Sequence, residues 1–157
     1  MSASSRRLLA DAGGACSLVP MTEKIREASC SCGQLRVTVT GEPVRVSICH
    51  CFACQKRTSS LFGAQARWPR EKVVIEGNST AWRRTGDEGS TGEFHFCPVC
   101  GTTVWYIAPV EDGVAPEVIA VATGCFSDPD FPPPQYSVYN NRRHRWLEIP
   151  DGIEKYD

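Results

Sequence analysis

From Gln34 onward the apolar positions recur with period two. Gln34 to Thr40 (QLRVTVT) alternates and stops at Gly41-Glu42-Pro43, and Val44 to Cys49 (VRVSIC) alternates again. Such short runs, rich in Val, Thr and Ile, read as half-buried antiparallel strands. Further runs lie at 62–68, 72–76, 81–84, 93–96 and 102–107, with turn signals at Trp68-Pro69, Gly77-Asn78 and Gly86 to Gly89. Val118 to Thr123 is solidly apolar and predicts a buried strand, and Gln135 to Tyr139 and Trp146 to Ile149 predict closing strands. The proline-rich tract Asp128 to Pro134 excludes helix, because proline removes donors and blocks the preceding turn. A 3.6-residue period is confined to one turn near Gln55 to Ser60. The pattern predicts a mostly-β protein of about ten short strands.

Length adds that 157 residues suit one domain with a real core. Arg6-Arg7 resembles the basic start of a leader, but Asp11, Gly13 and Gly14 break the apolar stretch that should follow. Residues 1–25 are read as a disordered extension and residues 26–157 as the folded domain. The formal net charge of −1 argues against a nucleic-acid partner or an anionic membrane surface. No apolar run approaches the roughly 20 residues that span a bilayer.

Cysteines change the picture most. Seven of the nine fall into three clusters: Cys30-Ser31-Cys32-Gly33, Cys49-His50-Cys51-Phe52-Ala53-Cys54 and Cys97-Pro98-Val99-Cys100-Gly101. Seven thiols do not divide into disulfides, but they divide into four plus three. A closed zinc site takes four protein ligands, and a catalytic one takes three and keeps a position open. Without an export signal, cysteines at metal-like spacing place the chain in a reducing compartment, the cytoplasm. On a strand, residues i and i+2 share a face, so Cys49 and Cys51 reach one ion while His50 points away. Spacing alone leaves the pairing open. Cys51 and Cys54 with Cys97 and Cys100 would also make a zinc ribbon, with Cys30, Cys32 and Cys49 left over. Locality favours Cys49, Cys51 and Cys54 as the trio.

The three clusters, in this order and with Gly101-Thr102 after the last cysteine, resemble the signature of the glutathione-dependent formaldehyde-activating enzyme family. The closing segment Arg145 to Ile153 is similar to that family's as well. The resemblance runs from about Ala28 to Tyr156 and implies a β-tent of antiparallel sheets with two zinc ions per chain. It implies Cys30, Cys32, Cys97 and Cys100 as a structural site, and Cys49, Cys51 and Cys54 as the catalytic one. Gln55-Lys56-Arg57-Thr58-Ser59 and Gly124-Cys125-Phe126-Ser127-Asp128 follow the family pattern only loosely, which leaves substrate specificity open.

The implied activity is a carbon–sulfur lyase that forms or cleaves an S-hydroxymethyl adduct between a thiol such as glutathione and a small aldehyde such as formaldehyde. Glutathione carries two carboxylates, so cations are expected near an open site, Lys56 and Arg57 first by proximity. Arg67, Arg83 and the run Arg142-Arg143-His144-Arg145 are further candidates. The alternative is a non-catalytic binding module with both metals structural, in which His50 or Cys125 completes the central site. His95 shares a face with Cys97 and is a minor competitor for metal; Cys16 lies in the doubtful leader.

Overall fold

The computed structural model describes residues 23–86, 89–107 and 117–157. The reading of the leader, Cys16 included, therefore falls almost wholly outside the described residues. Three strands, β1 (Ile25–Ser29), β2 (Arg36–Thr40) and β5 (Val73–Glu76), make a small antiparallel sheet in the order β1-β2-β5. The rest are β3 (Arg45–Cys49), β4 (Gly63–Pro69), β6 (Thr80–Thr85), β7 (Thr91–Phe96), β8 (Thr103–Ile107), β9 (Val118–Ala122), β10 (Tyr136–Val138) and β11 (Glu154–Lys155). They form an eight-stranded sheet in the order β11-β10-β3-β4-β9-β8-β7-β6. The mostly-β expectation of antiparallel sheets holds, with one exception: β10 runs parallel to both β3 and β11.

Alternation explains why the two sheets face each other. Val37 and Val39 of β2 and Val73 of β5 point to one side, and Val46, Ala66, Trp68, Ile119 and Val121 of the large sheet point back at them. Trp68 is 1% exposed and meets Phe126 and Phe131 at ring-centroid distances of 5.8 and 6.4 Å. These rings plug the end of the interlayer core, and burying each contributes on the order of 2 kcal/mol.

Three local differences from the sequence reading have physical reasons. β1 was hidden because its inward positions are Arg26 and Ala28. Arg26 is buried at 6% exposure by a two-pronged bond to the Glu42 carboxylate (2.9 and 2.7 Å) and a third to the Gly41 carbonyl. Trp146 to Ile149 is not a strand. Trp146 is 70% exposed in a turn closed by Leu147 N–H on the His144 carbonyl, and the closing strand is β11. The single α-helix among the described residues, α1 (Phe52–Thr58), begins three residues earlier than the periodicity indicated, because the Cys51 sulfur accepts the Cys54 N–H and caps its first turn.

Candidate metal centres

Two hairpin tips meet at one end of the molecule. The β1–β2 turn closes with Cys30 N–H on the Leu35 carbonyl, and the β7–β8 turn with Cys97 N–H on the Thr102 carbonyl, each at 2.9 Å. Gly33 (φ +78°) and Gly101 (φ +75°) bend the chain back in the left-handed region that glycine adopts without penalty. The tips touch through Ser31 Oγ and Thr102 Oγ1 at 2.9 Å. As a result the sulfurs of Cys30, Cys32, Cys97 and Cys100 all lie within 4.8 Å of one another. Sulfurs bound tetrahedrally at zinc distances stand about 3.8 Å apart. Cys30 to Cys32 is 3.5 Å and Cys32 to Cys97 is 3.6 Å, so spacing and donor chemistry both suit that ion.

Neutral donors hold these sulfurs in place. Gln34 Nε2 donates to Cys97 Sγ at 2.9 Å, Leu35 N–H to Cys30 Sγ at 3.3 Å and Val99 N–H to Cys97 Sγ at 3.4 Å. The Thr102 hydroxyl, chief among the donors around it, pulls the Cys100 thiol down to about 5. Such outer contacts orient ligands and stabilise thiolate. Cys125 lies on this side of the molecule: its thiol reaches the Thr103 carbonyl at 3.7 Å, and burial pushes it up to about 11, with Cys30 and Cys100 adding to the shift.

The second cluster is local. Cys49 ends β3, Cys51 caps α1 and Cys54 sits in its first turn, and the three sulfurs lie within 4.8 Å of one another. Among the described residues no further His, Cys, Asp or Glu joins this group. Hydrogen bonds shared between the thiols hold Cys51 down at about 2 and push Cys49 far up. Crowded thiols cannot all ionise together without a nearby cation. A metal that releases their protons relieves that crowding. His50 points away from the trio, fully buried with its ring edge-on to Phe62 at 5.7 Å, and burial lowers its pKa.

Cations gather on this second site. Gly63 faces Cys49 across the β3–β4 ladder. A Cβ there would stand 3.1 Å from Arg57 Nη2 and 3.4 Å from Cys54 Cβ, so the bare glycine lets the guanidinium lie beside the metal-type trio. Arg57 also stacks over Phe94 and Tyr106, at 4.9 and 5.7 Å from their centroids. Beyond it runs a groove of about 550 Å³ lined by Phe52, Ala53, Lys56, Arg57, Trp82, Arg84 and Arg142. Lys56 and Arg57 thus line one groove, joined by Arg142 from far along the chain. Arg67 is on the same sheet face, whereas Arg83 pairs with Glu93 and Arg143 and Arg145 line a separate charged hollow. His95 is held by Ser79 and Glu93, each at 2.9 Å, and stacked on Trp105. Sequence reasoning did not single out Trp82, Arg84, Gln65 or Tyr106. Tyr106 sits in the apolar run TVWYI, which by itself reads only as core.

A family model described as glutathione-dependent formaldehyde-activating enzyme matches residues 25–142, most of the chain. Among solved structures, the crystal structure of a Rhodobacter sphaeroides protein is similar at 16% identity and a TM-score of 0.49, over 83% of this chain and 99% of that one. No curated protein matches. Among the described residues, no helix is long and apolar enough to cross a membrane.

Proposed function

This chain belongs to the glutathione-dependent formaldehyde-activating enzyme family, and from that premise we propose that it is a zinc-dependent carbon–sulfur lyase joining a small thiol such as glutathione to a small aldehyde such as formaldehyde. Cys30, Cys32, Cys97 and Cys100 hold a structural zinc, and Cys49, Cys51 and Cys54 a catalytic one. The observation that carries the reading is the trio of sulfurs beside a groove lined by cations. On this reading residues 26–157 are the catalytic domain, and thiols at metal-like spacing favour a reducing compartment such as the cytoplasm.

A zinc held by Cys49, Cys51 and Cys54 would lower the pKa of an incoming thiol and favour thiolate at neutral pH. The protein's own part is to hold the reactants. Lys56 and Arg57 take the thiol's carboxylates, and Phe52 and Trp82 supply apolar walls along its length. Arg57 reaches back to Cys54 and so ties the groove to the reacting end. In the forward direction a C–S bond forms at the carbonyl carbon, the C=O π pair moves to oxygen, and the thiol's proton ends on that oxygen. The reverse breaks the same bond.

A purely structural pair of metals called for His50 or Cys125 as a fourth ligand, and neither is grouped with the trio. The test is NMR exchange between formaldehyde, glutathione and their adduct. Faster exchange with protein than without is expected; equal rates overturn the lyase reading. Elemental analysis should find two zinc per chain, and one or none overturns the assignment of the trio.

A further inference from the structure

One lateral row of the large sheet runs straight across the face that carries Cys49. In register it reads Trp82, Phe94, Tyr106, Ala120, Arg67, Arg45, from β6 through β7, β8, β9 and β4 to β3. Three of the six are aromatic and two are cationic, and the alanine between them is small. One strand, β9, therefore lies between Tyr106 and Arg67, and the Arg67 guanidinium acts on the Tyr106 phenol across Ala120, opposing the rise in its pKa. Arginine carries only donors, so a bond from it to the phenol oxygen would leave the O–H able to donate.

On this face of the sheet, polar atoms are buried without partners. Arg57 Nε, Arg67 Nε and Gln65 Oε1 make no hydrogen bond. Gln65 Oε1 and Arg57 Nη2 come within 3.6 and 3.1 Å of the point where a Gly63 Cβ would stand, next to Cys54. Buried polar groups normally find partners, and a cluster that does not has polar capacity left for a bound molecule or ion. Tyr106 is 8% exposed, stacked by Phe94 at 4.9 Å and covered by Arg57. Burial raises the phenol's pKa and Cys54 adds to the shift, while Arg67 and Arg57 oppose it.

We propose that Tyr106 is a catalytic residue of this centre, donating its hydroxyl hydrogen bond to the aldehyde oxygen as the C–S bond forms, with Arg67 as the residue that positions it. Charge develops on that oxygen when the thiolate attacks, and a preset donor in a water-poor site stabilises it most at that moment. In the reverse direction the same donor holds the hydroxymethyl oxygen while the C–S bond breaks. The inference rests on the lyase reading above.

The experiment compares the wild-type holoenzyme with Tyr106→Phe, which keeps the ring's stacking and loses only the hydroxyl. Exchange rates, thiol affinity by calorimetry and zinc content are measured together. The expected result is a fall in kcat of about 100-fold, with thiol affinity and zinc content unchanged. A kcat within threefold of wild type overturns the proposal, as does a loss explained by missing zinc or weakened thiol binding. Arg67→Lys keeps the charge but not the fork, and should lower kcat by roughly tenfold at unchanged zinc content; an unaltered kcat there counts against the pairing. A wild-type protein inactive with every thiol and aldehyde sinks the lyase reading itself, whereas an active wild type with an equally active Tyr106→Phe sinks only the role of Tyr106.

Discussion

The two thiol clusters are built from one residue type and differ in almost everything else. The four-cysteine cluster joins hairpin tips about seventy residues apart in the chain, and its sulfurs are dressed by neutral donors from Gln34, Thr102 and backbone N–H groups. The three-cysteine cluster spans one strand end and one helical turn, and the group brought beside it is a guanidinium. A clip across so long a loop constrains the unfolded chain strongly, whereas a local site closes almost no loop. The difference teaches that cysteine count alone does not assign a role. Sequence separation and the charge of the surrounding groups are what distinguish the two clusters, and they are the basis for proposing one as structural and the other as reactive.

If that contrast is right, damage to the two sites should separate. The largest effect is expected from Cys97→Ser, which opens the clip: circular dichroism should show loss of the cooperative melt, since structural zinc contributes on the order of 10 kcal/mol in small domains. A normal melt would erase the distinction. Cys54→Ser should instead remove one zinc equivalent and at least about 100-fold of the exchange rate, while stability falls by only about 1–2 kcal/mol. A collapse as severe as that of Cys97→Ser would make both sites structural. Arg57→Met keeps the length of the stem and removes the charge beside Cys54; thiol binding followed by calorimetry should weaken about tenfold. Smallest is Lys56→Ala, an exposed cation on the groove wall. It should raise the thiol KM two- to threefold, roughly, at low ionic strength and show no difference at 1 M salt, where the screening length is about 3 Å. A salt-independent effect would mean Lys56 acts by packing.

How far the chain was legible depends on how local each signal is. Runs such as RVTVT and VIAVA state their alternation or burial outright, and they become β2 and β9. β1 does not, because its inward Arg26 needs Glu42 and Gly41 from the β2–β3 turn before it can be buried. Trp146 to Ile149 has strand-like residues, but Pro150 follows at once and no neighbour accepts it into the sheet, so Leu147 and Ile149 line an apolar hollow with Ile48 and Phe62 instead. In α1 the cap is a sulfur, a signal that residue preference for Ser, Thr, Asp or Asn does not include. Lys56 and Arg57 were visible by proximity to Cys54, whereas Arg142 and Trp82 meet them across the fold.

What the sequence determined by itself is the mostly-β character and the division of seven thiols into spaced clusters, because strand alternation and the reach of neighbouring sulfurs act over two to five residues. Which cluster pairs with which was left to the tertiary structure, as was the row that sets Tyr106 against Arg67. Both depend on strand order and register, and those are decided only when the two sheets close over a shared core and every inward residue must find its place at once.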